Sequence, residues 1–545
     1  VFFPWMNLWE TDETELNPYS LIWHTRGLTE NLDLTTASVD PEISQRMTND
    51  SDTVFLISEP WHYYDPKWLN LSEMSPFYTG NTFQHHVGTE YPEALMINFR
   101  HPDYANHLAT RALSYKESGF DGLIFDWWHK YAGNGISTEA VDSARVKIAS
   151  AIRDKVGSDF ILMGNVNNLK DDPTAEYLSG VFMELYKQPG ESYPLTGSDI
   201  SIERFEELLI YWNDNLANPR LICFEPWQIT RIDPLQDRNS EENIKLAKFF
   251  TAMALVIPDN GYILYSANNN DFSVGDHQHA YYDFYHTDLG SSISERIAIN
   301  EFIGFKFFQK GFVTYNRGVQ EHLFEVNGKE YSVSEIEGLI KEISFNTNLE
   351  YELKSKDQYF FSSSIANHIR LNNFKSELQL EKIETQNSWY SNSNTGKKVF
   401  VNFSRIKFSD GTLALDIDAG DTAGQAYRLY QAAFARTPDM PGVAYHMNDM
   451  ESNGLSVTQI AGNFIASPEF KTQYGENPTE DEYINLLYQN VLGRTPQQFE
   501  VDYYKDRFEQ GTTDWNTTLV FFAESPENIA LVGPDILNGI WLPDV

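Results

Sequence analysis

The chain has 545 residues, 41% of them hydrophobic, and sets 78 acidic residues against 40 basic ones, a formal net charge of −38 at pH 7. So negative a surface repels nucleic acid and anionic lipid, which argues against both as partners, and no run of eighteen or more apolar residues offers a membrane span. The single cysteine, Cys223, allows no internal disulfide framework and sits in an apolar run as a small buried hydrophobe.

The first 270 residues alternate short apolar runs with amphipathic stretches. The runs are FFPWMNLW (2–9), SLIWH (20–24), TVFLISE (53–59), DGLIFDW (121–127), FILMGNV (160–166), GVFMELY (180–186), RLICFE (220–225) and YILYSAN (262–268). Helical patterns at 101–118, 138–156, 202–216 and 241–257 fall between the later runs, with Gly157 as a stop signal. A further short run, ALMINFR (94–100), leads into the first of them. Eight strands with interspersed helices predict an α/β fold, a (β/α)8 TIM barrel over residues 1–316. The first two crossovers are weak: 10–19 is short, and 60–93 reads as a long aromatic loop. An open doubly wound sheet is therefore the alternative, although no Gly-rich phosphate turn follows the first strand. The chain opens on VFFPWMNLW without Met, which leaves room for a preceding leader.

Beyond the barrel, 294–308 reads as a helix followed by KGFVTYNRG. Residues 317–415 are polar with short alternating runs, KKVFVNFSRIKF (397–408) and TLALDID (412–418), and read as a β-rich accessory segment. Residues 416–545 read as an all-α domain of two related units, about 425–470 and 483–528. LYQAAFARTPD (429–439) matches LLYQNVLGRTPQ (486–497) at an offset of 58, which also carries Ser467-Pro468-Glu469 onto Ser525-Pro526-Glu527 and Tyr445 onto Tyr503. Each unit reads as a helix, an Arg-Thr-Pro turn, a second helix and a third ending at Ser-Pro-Glu. That tripeptide is itself a helix start.

Alternate residues of a strand share a face. Gly122, Ile124 and Asp126 share one, so Asp126 is the last inward residue of the fourth strand, at the end where barrel active sites lie. The same reading puts Glu59 at the end of the third strand, Asn165 and Asn167 on the fifth, Glu184 on the sixth and Glu225 on the seventh. Taken singly, each acid could cap a helix or pair with an arginine. Four at equivalent strand ends in so acidic a chain point to glycoside hydrolysis or a metal site. The first needs one carboxylic acid to protonate the leaving oxygen and a second carboxylate as nucleophile or base. The second wants His or a dense Asp cluster, and the strand ends offer only His24 and nearby His129, so no metal centre and no cofactor are expected. The acidic turn Asp416, Asp418 and Asp421 suits either calcium or a solvated linker.

Aromatics accompany the acids: Trp127 and Trp128 follow Asp126, Trp61 follows Glu59, Trp227 follows Glu225, and Trp5 lies on the first strand. Sugar rings have apolar faces that stack on indole, while their hydroxyls need carboxylates and amides. These tryptophans with Glu59, Asn165 and Asn167 are therefore candidate substrate contacts, although about half of the tryptophans should simply be core. His277 and His279, in GDHQHAYY, sit on a loop able to fold over the mouth.

GFDGLIFDWW resembles the Gly-Phe-Asp-Gly strand of the hypothetical glycosyl hydrolases with a TIM-barrel fold, distant relatives of polygalactosaminidase-type and melibiase-type barrels. NFRHPDYANHLATRALSYKESGFDG has the form of that family's approach to the strand. DHQHAYYDFYHTDLG with FQKGFVTYN resembles its C-terminal segment, with Lys310 where the pattern usually has Asn. The resemblance covers residues 1–316. It implies Asp126 as nucleophile and Glu184 as acid/base, with Glu225 the rival acid. TLALDIDAGDTAGQAYRLYQAAFARTPD resembles a helical domain of unknown function, often in tandem, in exported bacterial proteins of the repeats-in-toxin and surface-layer types. Over 410–545 it implies type I secretion and cell-surface attachment or self-assembly. The expected protein is an extracellular glycoside hydrolase acting on a polysaccharide or oligosaccharide. Its rivals are a non-catalytic carbohydrate-binding barrel and a structural component of a surface assembly.

Overall fold

The computed structural model describes residues 2–6, 20–24, 52–64, 75–82, 95–131, 135–185, 193–230, 239–269, 282–343, 345–346, 350–363, 367–383, 387–393 and 396–544. Eight strands lie side by side in chain order: β1 (Phe2–Met6), β2 (Leu21–His24), β3 (Val54–Glu59), β4 (Gly122–Phe125), β5 (Ile161–Asn165), β6 (Gly180–Leu185), β7 (Leu221–Thr230) and β8 (Asn260–Ile263). Every neighbouring pair is parallel. Strand order never reverses, so the doubly wound alternative is excluded and the fold is the (β/α)8 barrel type. Helices α1 (Tyr104–Glu117), α2 (Thr138–Val156), α3 (Ile202–Asn215) and α4 (Glu241–Val256) cover the later strands. Ser137, Ser201 and Ser240 cap the last three by accepting a backbone N–H of the first turn, and Gly157, at φ 81°, ends α2. The aromatic stretch 60–93 has short strands at Tyr63–Tyr64 and Tyr78–Thr82, which pair antiparallel with Leu95–Ile97 outside the barrel sheet.

Two cores sandwich the barrel sheet. Trp23, Leu56, Ile124, Met163, Phe182, Cys223 and Leu264 fill the interior. Phe55, Ile57, Leu123, Phe125, Leu162, Val181, Ile222 and Phe224 face the helices. This fixes the side-chain parity of each strand and corrects one expectation. On β3 the inward residues are Leu56 and Ser58, so Glu59 points into the helix layer.

Residues 294–308 are not a helix. Ile297–Ala298, Ile303–Phe308 and Gly311–Asn316 form antiparallel strands. Phe305 and Phe307 share a face in a core with Phe312, Phe324 and Tyr359, a period of two that the surrounding Ile spacing obscures. The accessory region thus begins before residue 316 and comprises sheets of four, six and five strands. It is locked to the barrel through α3, where buried Glu206 takes Arg296 Nη2 at 2.5 Å, Arg317 Nε and the Tyr315 hydroxyl. Lys306 adds a bond from Nζ to Pro258 O at 2.7 Å.

The all-α domain is an insertion in that region. Strand β9 (Gly411–Ala414) pairs antiparallel with β10 (Ile540–Pro543), so the helical domain ends at residue 536 and the chain returns to the sheet. Between these strands lie α5 (Thr422–Phe434), α6 (Met440–Glu451), α7 (Val457–Ala466), α8 (Pro468–Tyr474), α9 (Glu480–Asn490), α10 (Gln498–Glu509), α11 (Trp515–Ala523) and α12 (Pro526–Ile536), four per unit. Ser467 and Ser525 cap the fourth helix of each unit. The same staple holds both units. Arg436 lies 5.0 Å over the Tyr430 ring and bonds Glu469 at 2.7 Å; Arg494 lies 4.7 Å over Tyr488 and bonds Glu527 at 2.7 Å. The acidic turn before α5 is a paired linker and not a calcium loop. Asp416 pairs with Arg405 and accepts the Ala423 N–H, Asp418 pairs with Lys382 at 2.6 Å, and Asp421 accepts the Asp418 N–H.

The Arg494 guanidinium and the Gln497 N–H hold the Glu500 carboxyl down from its ordinary 4.5 to about 2. A carboxyl lowered in the folded state contributes stability that is full above its unfolded value and lost as pH falls through the folded one. Glu500→Gln should therefore flatten the loss of helical-domain stability between pH 4.5 and about 2, read by circular dichroism melts. An unchanged acid limb would remove Glu500 as its source.

Candidate functional site

Parity brings one acid or amide from each of four adjacent strands to the C-terminal mouth: Asp126 just past β4, Asn165 on β5, Glu184 on β6 and Glu225 on β7. Glu184 and Glu225 are register partners on neighbouring strands. The centre of the group is Asn165, which is fully buried. Its Nδ2 donates to Asp126 Oδ1 at 3.1 Å and to Glu184 Oε2 at 2.8 Å. Both bonds share one nitrogen, so these two carboxylate oxygens are at most about 6 Å apart. The reversed amide would aim its oxygen at the Asp126 carboxylate, so charge fixes its orientation. Asp126 Oδ1 also accepts the Trp127 N–H at 2.9 Å. Asp126 and Glu184 are half-buried, whereas Glu225 is 0% exposed.

The turn that presents Asp126 is firmly held. Trp127 adopts φ 51°, a left-handed conformation uncommon for a bulky residue. It turns the chain back so that Trp128 stacks on Phe125, 4.7 Å between rings. Trp128 lies flat over Gly164 of β5, where an added Cβ would meet its ring at 2.6 Å. Trp61 Nε1 bonds Trp127 O at 3.1 Å, Trp128 Nε1 bonds Thr174 Oγ1 at 2.9 Å, and Arg145 Nη1 bonds both Trp128 O and Asp172 Oδ2, the latter at 2.7 Å. Arg145, Asp172 and Thr174 are buried positioning residues that the sequence reading missed. The available signal was Arg145 itself, a charge between Val141 and Ile148 on the apolar face of α2.

The other candidates divide. Trp127 is half-buried, its ring 5.9 Å from buried His62 and 6.4 Å from His129, and it has surface to offer a ligand. Trp61 and Trp128, at 0% exposure, have none, so they are core and not sugar platforms. Glu59 is likewise committed elsewhere: its carboxylate takes Arg111 Nε and Nη2 at 3.1 Å and the Tyr115 hydroxyl at 2.6 Å, all within the helix layer. Asn167, also left-handed at φ 50°, sits just past β5 with Oδ1 buried and without a hydrogen-bond partner among the described residues. Trp5 and Trp227 lie on β1 and β7, but their side chains, and His277 and His279 entirely, lie outside the described residues. Among the described residues no three His, Cys, Asp or Glu side chains group as metal ligands. Cys223 is buried inside the barrel, and burial pushes its thiol pKa up.

Residues 461–532 match the family model described as a domain of unknown function (DUF4214). No curated protein matches the chain. Among solved structures, the glycoside hydrolase domain of PelA from Pseudomonas aeruginosa is similar at 12% identity and a TM-score of 0.33, over 49% of this chain and 94% of that one. Cyclic alpha-maltosyl-(1-->6)-maltose hydrolase from Arthrobacter globiformis is similar at 9% identity and a TM-score of 0.38, over 61% and 88%. Aspergillus fumigatus Ega3 in complex with galactosamine is similar at 10% identity and 0.30, over 49% and 90%. Likeness at this level says nothing about the chemistry of this site.

The Glu59–Arg111 pair gives the first test at the barrel. Glu59→Ala leaves a buried guanidinium without its carboxylate and should cost about 3–5 kcal/mol in urea unfolding, most of it recovered in Glu59→Leu/Arg111→Met. A stable Glu59→Ala protein that has lost ligand binding would return Glu59 to the site.

Proposed function

We propose that the barrel is a glycoside hydrolase that cleaves a polysaccharide by a two-carboxylate, retaining mechanism. One observation carries the reading: a single buried amide, Asn165, holds Asp126 and Glu184 with facing oxygens at most about 6 Å apart at the barrel mouth. Retaining glycosidases space their carboxyl groups at about 5–5.5 Å, and inverting ones at about 6.5–9.5 Å to admit a water. The resemblance of residues 1–316 to hypothetical glycosyl hydrolases points the same way.

Roles follow from the surroundings. Asp126 takes two N–H donors on one oxygen, which favours the carboxylate over the acid and suits a nucleophile that attacks the anomeric carbon. Glu184 is partly exposed and protonates the leaving oxygen, then withdraws a proton from the water that releases the product. Glu225 is fully enclosed beside it and is the weaker candidate for the acid. Trp127 offers the ring on which a sugar stacks. We also place the protein outside the cell, on the resemblance of its helical domain to those of exported and surface-layer proteins. Fractionation of the source cells tests this, and a purely cytosolic pool would contradict it.

The decisive experiment is glycan release from a panel of neutral and amino-sugar polysaccharides. Asp126→Asn and Glu184→Gln should each cut release by about 10²-fold or more, and Glu225→Gln by less than Glu184→Gln. Nuclear magnetic resonance should show retained anomeric configuration in the first product. No release by the intact protein, with polysaccharide binding kept in every variant, would replace the enzyme with a carbohydrate-binding barrel.

A further inference from the structure

The two units of the helical domain have diverged far enough to show which positions have a reason to persist. At the offset of 58, residues 422–469 and 480–527 share 13 identical positions out of 48. Most have a visible structural task. Leu429 and Leu487, Val443 and Val501, and Phe464 and Phe522 are core. The tyrosine–arginine–glutamate staple, the Thr-Pro turn and the Ser-Pro cap account for seven more. Two pairs sit in different surroundings: Glu451 and Glu509 are both exposed but Glu451 is tied to Arg405 of the accessory region, and Gln431 is half-buried while Gln489 is exposed. Tyr445 and Tyr503 are the identical aromatic pair that stays outside the core in both units, at 63% and 53% exposure.

Their neighbourhoods are also alike. Each lies mid-way along the second helix of its unit, α6 or α10. One turn before it stands an exposed ring, Pro441 or Phe499, and one turn after it an exposed hydrogen-bonding side chain, Asn448 or Asp506. Positions four before and three after share one helix face. Each tyrosine ring is steadied by a neighbour. His446 meets Tyr445 edge-on at 5.0 Å; Arg507 lies 5.5 Å over Tyr503 and donates to its hydroxyl at 2.9 Å.

We propose that Tyr445 and Tyr503 are two equivalent contact points that hold one neutral polysaccharide chain along the helical domain. A ring flanked by a hydrogen-bonding group matches one sugar, with an apolar face and a hydroxyl edge. Two like stations suit a ligand that itself repeats. Each station is far smaller than the roughly 800 Å² a protein partner needs. The net charge of −38, with Asp502, Asp506 and Glu509 beside Tyr503, disfavours polyanions and a second copy of the chain. The choice of polysaccharide as ligand class rests on the reading of the barrel; the duplicated tyrosine does not.

Affinity electrophoresis in gels cast with soluble starch, xylan or galactomannan tests this, with alginate as the polyanion, in the Asp126→Asn background so that no chain is cut. At least one neutral polymer should retard the protein and alginate should not. Tyr445→Ala and Tyr503→Ala should each weaken retention about 2- to 10-fold. The double variant should weaken it by about the product of the two, roughly 4- to 100-fold, because linked sites multiply. Both side chains are exposed, so circular dichroism should match the parent. The proposal is overturned if no neutral polymer retards the protein, or if the double variant runs like its parent. A double variant that changes sedimentation overturns it in favour of self-association. Tyrosine-dependent retention without glycan release from the intact protein would sink the hydrolase reading and leave this one standing.

Discussion

Two carboxyl groups this close in a partly buried mouth repel by about 3 kcal/mol at 6 Å in an effective dielectric of 20 when both are charged, which favours one proton between them. The side-chain amide of Asn165 offsets that repulsion, giving one N–H to each acid. An amide nitrogen has two hydrogens and both are used, so the nitrogen can neither rotate away nor serve another acceptor without releasing one of the two acids. The geometry of the mouth follows from this. Strand β5 must lie between β4 and β6, inward parity must hold on all three, and the turn after β4 must deliver Asp126 at the level of Asn165.

The turn meets the last requirement because its neighbours leave it no alternative. Trp128 is buried over a glycine that admits no side chain, and Arg145, Asp172 and Thr174 satisfy the polar atoms beneath it. Trp127 is left in a left-handed conformation, close to both the acids and solvent. The two adjacent tryptophans therefore do opposite work. One is an internal wedge that sets the backbone, and the other is the surface that the wedge presents.

Much of this was legible in the chain. The eight apolar runs are the eight barrel strands, and the four long helices lie within three residues of their expected bounds. Parity was readable on β4 and β6, where a glycine and a terminal acid mark the inward face, and on β7, where Cys223 and a terminal acid do. It was misread on β3 because FLIS is apolar on both faces, and a strand covered by helices outside and core inside carries no alternation to follow. Glu59 was thus placed at the mouth although its partner, Arg111, stood visible on the apolar face of α1. The helix expected at 294–308 failed for a related reason: its isoleucines mimic a helical period while FKFF, with a turn at Gln309–Lys310, pairs as a hairpin. No sequence pattern placed Asn165 as a bridge, since that depends on the lateral stagger of strands distant in the chain.

The return of the chain to strand β9 after the helical domain bears on how the protein is made. Ala414 waits for Ile540, 126 residues later, before its sheet is complete. On the ribosome the barrel emerges first and the eight helices next, while an unpaired strand edge stays open throughout. Gly411–Ala414, already paired with Arg405–Phe408, gains its second partner only when Ile540–Pro543 has been made. A transcript that ends early therefore yields a β region with one bare edge, whether or not the helices before the break have folded.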